Sequence, residues 1–184
     1  WQECPPMIPA RRKYLLSFQG ELTAANQTLP SDDQQIDEFI IEHLKEISNG
    51  IHSDKFYLQF ECIPATEQMN VAANKDWYLC GTDNSRKTIL RESTFALILV
   101  PDRIVISSTL LQARIYESLR AGAIPVILGG DQVELPFSDM LEWRRAVMFL
   151  PKARVTELHF LLRSVPDSDL LLMRRQGRMI WERY

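Results

Sequence analysis

An α/β fold, a Rossmann-like doubly wound parallel sheet, is predicted by three features of this sequence. Residues 95–100 (FALILV) and 124–128 (IPVIL) are continuous apolar runs, as expected of strands buried on both faces. Segments with apolar residues at helical spacing separate such runs, which is the order of a parallel sheet joined by crossover helices. Glycine, proline and paired serines punctuate the joins where strands end and helices begin.

Taken in order, residues 13–18 (KYLLSF) read as a first buried strand ended by Gly20. Pro30-Ser31-Asp32-Asp33 is a helix start signal, and Ile36, Phe39, Ile40, Leu44 and Ile47 recur on one helical stripe until Asn49-Gly50. Residues 55–62 read as a second strand, 63–75 as a loop and 85–92 as a short helix. After the run at 95–100, closed by Pro101, Ser107-Ser108 caps a helix over 109–121 that Gly122 stops. The strand at 124–128 leads into Gly129-Gly130-Asp131. A helical turn is predicted at 139–143, a strand at 146–150 stopped by Pro151, and a helix at 155–164. A last helix is capped by Asp167 and carries Leu170, Met173, Ile180, Trp181 and Tyr184 on one stripe.

The 184 residues, 46% hydrophobic, suffice for one domain with a sizeable core, here 1–184. With 21 basic and 24 acidic residues and no long basic run, the chain is not expected to bind nucleic acid. Its apolar runs are too short to span a bilayer. It begins at Trp1 without a signal-peptide pattern and is read as a piece of a longer protein. Cys4, Cys62 and Cys80 fit no zinc spacing, and no metal site is predicted. Two readings stand for the cysteines: Cys62 and Cys80 close a loop in an oxidising compartment, or they are buried free thiols. Asn26-Gln27-Thr28 is an N-glycosylation sequon, which favours a secretory lumen.

Ligands of open parallel sheets sit beyond the carboxyl ends of the strands. Two such ends stand out: residues 101–108, where Arg103 is a cation and Ser107 and Ser108 open a helix, and Gly129-Gly130, which admit close backbone approach. Arg114 and Glu117 lie three apart on that helix and share a face. A carboxylate there could accept both hydroxyls of a ribose and a guanidinium could meet a phosphate; the alternative is an i,i+3 surface ion pair. Asp167-Ser168-Asp169 matches a metal-holding Asp-x-Asp pattern, but helix capping accounts for it more simply. His43 and His159 read as surface or partly packed. Trp143 and Trp181 read as packing residues, and Arg174, Arg175 and Arg178 as a solvated basic face of the last helix.

Five motifs in order resemble the exostosin family, glycosyltransferase family 47. They are Arg12-Lys13-Tyr14 with Phe18-Gln19-Gly20; Ser93-Thr94-Phe95; Arg114-x-x-Glu117; the run from Ala121 to Leu128; and Glu134-Leu135-Pro136-Phe137. Pro151-Lys152-Ala153-Arg154-Val155-Thr156-Glu157, with 159–163 and 173–178, is most similar to the exostosin-like-3 branch. The resemblance covers nearly the whole chain. It implies the C-terminal, nucleotide-sugar-binding half of a two-lobed GT-B-type domain, with Glu117 on the ribose and Arg114 near the phosphates. It implies a UDP-sugar as substrate, a glycosaminoglycan chain as acceptor, and a catalytic base in the other half. No cofactor is expected in this domain; a divalent metal would serve another domain of the full protein. Expected partners are the remaining domains of the same polypeptide and another exostosin-family chain, in the lumen of the Golgi or endoplasmic reticulum, in a type II membrane protein whose anchor lies outside 1–184. The chain departs from the family pattern at Ala96, where a cysteine is usual, and at Pro101-Asp102-Arg103, where a glycine-containing basic turn is usual. Those departures imply an alternative function, a catalytically inactive scaffold domain of a multidomain heparan sulfate glycosyltransferase. A different nucleotide-binding α/β protein is a third reading, which the sequon and the cysteines disfavour.

Overall fold

The computed structural model describes residues 5–22, 32–50, 54–62, 77–100, 107–129 and 133–183, with the backbone alone at 32–35. The chain opens with β1 (Tyr14–Gln19), β2 (Glu21–Leu22), α1 (Asp32–Asn49), β3 (Phe56–Gln59), β4 (Trp77–Tyr78) and α2 (Asp83–Arg91). It continues through β5 (Ser93–Leu99), α3 (Thr109–Ala121), β6 (Ile124–Leu128), β7 (Met148–Leu150), α4 (Leu158–Ser164) and α5 (Asp167–Arg183).

Five strands form one parallel sheet in the order β3-β1-β5-β6-β7. The continuous apolar runs are explained by burial on two faces. Phe95, Leu97 and Leu99 of β5, with Ile124, Val126 and Leu128 of β6, pack against Ile40 and Leu44 of α1 and Leu158 and Leu162 of α4. Ile98 and Ile127 point the other way, onto Leu111, Ile115 and Leu119 of α3. A strand buried on both sides loses the alternation that marks a half-exposed one. The fold is therefore the α/β parallel sheet that the sequence predicts.

The connections create a ligand-type crevice position. From β1 the chain passes through α1 outward to β3, then returns past β1 to reach β5. Counting only the strands of the main sheet, the order is 2-1-3-4-5, and the switch point lies between β1 and β5.

Local chemistry sets the ends of α3. The Ser108 hydroxyl accepts the Leu111 N–H at 3.1 Å, and Gly122, at φ 68°, closes the helix with N–H bonds to Leu119 and Ser118 carbonyls. Several boundaries differ from the sequence expectation. The second main strand is confined to β3, the helix expected at 85–92 is α2, and the run expected as a strand from 146 begins only at Met148. There Ala146 and Val147 donate backward to the Trp143 carbonyl and close a 3-10 turn, Trp143–Arg145, in place of the turn expected at 139–143. Before α4, Lys152–Glu157 is likewise a 3-10 turn. On α1, Ile40 and Leu44 are buried while Ile36 and Phe39 stand exposed.

The segment ahead of β1 is held under the amino ends of the strands by two arginines. Arg12 donates to the carbonyls of Pro6, Leu90, Ser93 and Ala121, and Arg174 to those of Met7 and Pro9. Burial lowers both guanidinium pKa values to about 10, and for Arg12 the positive charges of Arg174 and Arg91 add to it. The basic face expected on the last helix is thus broken up: Arg174 is buried and Arg178 pairs with Glu182, leaving Arg175 exposed. His159 is buried as well, 3.0 Å from the Asp54 carboxylate, rather than at the surface. Trp143 packs in the core as expected, its indole donating to the Pro136 carbonyl. Among the described residues no helix is long and apolar enough to cross a membrane.

Candidate functional site

Open parallel sheets in general bind ligands at a switch point, here between β1 and β5, and Arg114 and Glu117 reach toward it from α3. Their spacing puts them on one face, as predicted, but each is engaged by protein groups. The Arg114 side chain is buried and donates to the Gln19 carbonyl at 2.9 Å, the Trp77 carbonyl at 3.2 Å and the Tyr78 carbonyl at 2.7 Å. It also stacks over the Phe18 ring, 5.2 Å from its centroid. Arg114 therefore fastens the end of β1 to β4.

Glu117 is held from α2. Arg86 Nε donates to Glu117 Oε2 at 2.9 Å, and Arg86 Nη2 to Oε1 at 2.6 Å, a two-pronged fork that uses both carboxylate oxygens. The third guanidinium nitrogen, Nη1, donates to the Gly81 carbonyl at 2.6 Å. Hydrogen bonding to Glu117 raises the Arg86 pKa above its ordinary value. Both side chains are largely covered, at 13% and 16% exposure.

Residues 77–81 consequently cross the carboxyl end of β1 under three ties. Arg114 holds one end, Arg86 holds the Gly81 carbonyl, and a disulfide joins Cys62 to Cys80. The disulfide settles the two readings of these cysteines in favour of the closed loop. Antiparallel pairing of β2 with β4 adds a fourth tie. Beneath this roof lies a cavity of about 30 Å³ lined by Ser17, Ala96, Ile98, Leu90, Glu117 and Ser118. That volume suits a water molecule, whereas ligand pockets measure roughly 300–1,000 Å³.

At the neighbouring strand ends, Ser108 spends its hydroxyl on the α3 cap. The Ser107 hydroxyl accepts from Gln112 at 3.0 Å, and its N–H meets the Glu134 carbonyl at 3.4 Å. Gly129, at φ 92°, does permit a close approach, but the group that approaches is the stem of Lys152: a Cβ on Gly129 would lie 2.8 Å from Lys152 Cε. The Lys152 ammonium pairs with Asp37 at 2.9 Å, and both are buried or nearly so. Arg103, Gly130 and Asn26 lie outside the described residues, as do Cys4 and Asp102.

Sequence reasoning missed Arg86, Lys152 and Asp37. Arg86 sits on an exposed-looking polar helix, and nothing in its neighbourhood signals a partner thirty-one positions away. Among the described residues no group of three or more His, Cys, Asp or Glu could hold a metal ion. Asp167 pairs with Arg11 at 2.9 Å, and Asp169 and Leu170 start α5 by donating to the Pro166 carbonyl.

A family model described as the exostosin GT47 domain matches residues 1–165. The chain is 40% identical over 99 residues to the exostosin-like-3 homolog of Caenorhabditis elegans, a match covering 54% of this chain and 11% of that protein. It is 38% identical over 96 residues to exostosin-2 of Bos taurus, covering 52% and 12% respectively. Similarity to exostosin-1 of Drosophila melanogaster, 27% over 191 residues, extends to 96% of this chain and 21% of the relative. The matched regions thus span between 11% and 21% of these three relatives' own lengths.

Proposed function

From the premise that this chain belongs to the exostosin family, GT47 domain, we propose that it is the C-terminal, nucleotide-sugar-facing half of a glycosyltransferase domain acting in heparan sulfate biosynthesis. The observation that supports this most is the switch point between β1 and β5, with the capped start of α3 beyond it, on a sheet of the kind that binds nucleotides. In this reading a UDP-sugar is the donor, a glycosaminoglycan chain the acceptor, and Glu117, Arg103 and the Ser107-Ser108 and Gly129-Gly130 ends form the donor side, while Arg114, expected near the phosphates, instead clamps residues 77–78 beside it. The catalytic base comes from the other half, and any divalent metal belongs to another domain. The protein works in the Golgi or endoplasmic reticulum lumen, alongside its own further domains and another exostosin-family chain. The Cys62–Cys80 disulfide and the Asn26 sequon suit that compartment.

A second reading, a catalytically inactive scaffold domain of the same kind of enzyme, is favoured by one observation: both oxygens of Glu117 are taken by Arg86, over a space of about 30 Å³. Calorimetric titration of the full-length protein with UDP separates the two. The donor reading expects saturable binding that Glu117→Ala abolishes. Absence of saturable binding up to millimolar UDP removes the donor reading from the protein as it stands and leaves the scaffold.

A further inference from the structure

We propose that Arg86 is a latch that keeps a latent nucleoside site on Glu117 closed, and that displacing its side chain opens it; this rests on the donor-side reading of Glu117. A carboxylate recognises a cis-diol by accepting two O–H groups, one on each oxygen. The Arg86 fork makes those same two contacts at 2.6 and 2.9 Å. Arg86 therefore stands where the diol would stand, with a charge-assisted geometry stronger than two neutral hydroxyls provide.

The helix that carries the latch is only lightly covered. No residue of α2 is fully buried, and its apolar side chains Ile89 and Leu90, half-covered, lie in the half away from Asp83. Two ion pairs join α2 to α3: Arg86 with Glu117, and Asp83 with Arg120 at 2.5 Å. Its carboxyl end is anchored differently, with the Ile89 carbonyl accepting from the Ser93 hydroxyl and the Leu90 carbonyl from Arg12. Both ends of α2 are thus tied, the amino end through Cys80 and residues 77–81, so opening is a swing of the Arg86 side chain off Glu117. Opening widens the small cavity under residues 77–81, the space directly beside Glu117.

The test is UDP titration of the full-length protein, comparing wild type with Arg86→Gln and with Arg86→Gln/Glu117→Gln. The latch predicts at least tenfold tighter UDP binding in Arg86→Gln, lost again in the double variant. A wild-type protein silent to UDP beside a binding Arg86→Gln variant is the same result in the limit. Equal, measurable affinities for wild type and Arg86→Gln overturn the latch and leave the donor reading standing. No binding by either overturns both. A gain that survives Glu117→Gln overturns the latch too, because the uncovered carboxylate is then not the ligand. Should Arg86→Gln fail to fold, Arg86→Lys decides: lysine keeps the charge but cannot fork. A tenfold gain there supports the latch, and wild-type affinity overturns it.

Discussion

Arg114 and Tyr78 meet at 2.7 Å, guanidinium to backbone carbonyl, across the carboxyl end of the first strand. That contact makes Arg114 of α3 a structural clamp, because the same side chain also holds the Gln19 and Trp77 carbonyls. Replacing Arg114 with leucine leaves buried acceptors without donors, at about 1–3 kcal/mol for a buried group so orphaned. Arg114→Leu is therefore expected to lose about 3 kcal/mol in urea denaturation. A loss below about 1 kcal/mol would show that the clamp is not what holds residues 77–81 down.

The disulfide is the second tie on those residues. It closes a loop between positions 18 apart, for which chain entropy gives about 3 kcal/mol. Cys62→Ser with Cys80→Ser is expected to lower stability by that amount. Reducing the wild-type protein should reproduce the loss, while the parallel sheet keeps its far-ultraviolet dichroism.

Gly122 makes a prediction about the amino-terminal segment. Its φ of 68° is strained for any residue with a Cβ, costing about 1–2 kcal/mol. The added methyl would also press on the Pro6 carbonyl and come within 2.9 Å of an Arg12 guanidinium nitrogen. Gly122→Ala should thus loosen residues 5–12, read as faster limited trypsin cleavage at Arg11 and Arg12. Unchanged cleavage would mean that Arg174 and the contacts of Arg11 hold the segment without Arg12.

Stability at low pH has a named contributor. The Arg120 hydrogen bond lowers the Asp83 pKa below its ordinary 3.8. The folded carboxylate is then more acidic than the unfolded one. Its contribution is full above the unfolded value and is lost as pH falls through the lower folded value. The pair is exposed, so the effect is small and screened by salt. Asp83→Asn should lower thermal stability slightly near neutrality, where the pair contributes in full, and flatten the profile below about pH 4, where wild type and variant converge. At the alkaline end stability again rises with pH: Arg12 and Arg174, lowered to about 10, release protons in the folded state first. Their share of stability is flat at neutral pH and rises as pH climbs above about 10 toward the ordinary arginine range.

The main strands and helices were legible because each satisfies a local rule. FALILV is apolar throughout because β5 is buried on both faces. Ser108 and Gly122 bracket α3 because an oxygen acceptor and a left-handed residue are what helix ends need. β2 and β4 were not legible, since two-residue strands carry no period, and they form only when their partners arrive from fifty-odd positions away. The shared face of Arg114 and Glu117 was legible from their spacing. Their partners were not: Gln19, Tyr78 and Arg86 reach them through the topology, and no local pattern encodes that.

The order of buried strands, the helix ends and the placement of two charged residues at a strand–helix crossover follow from the sequence alone, because propensity, capping and periodicity act within a few residues. The tertiary structure decided whether those charges face a ligand or the protein. Hydrogen bonds of Arg114 and Glu117 to groups between 31 and 95 positions distant exist only once the sheet has brought those groups together.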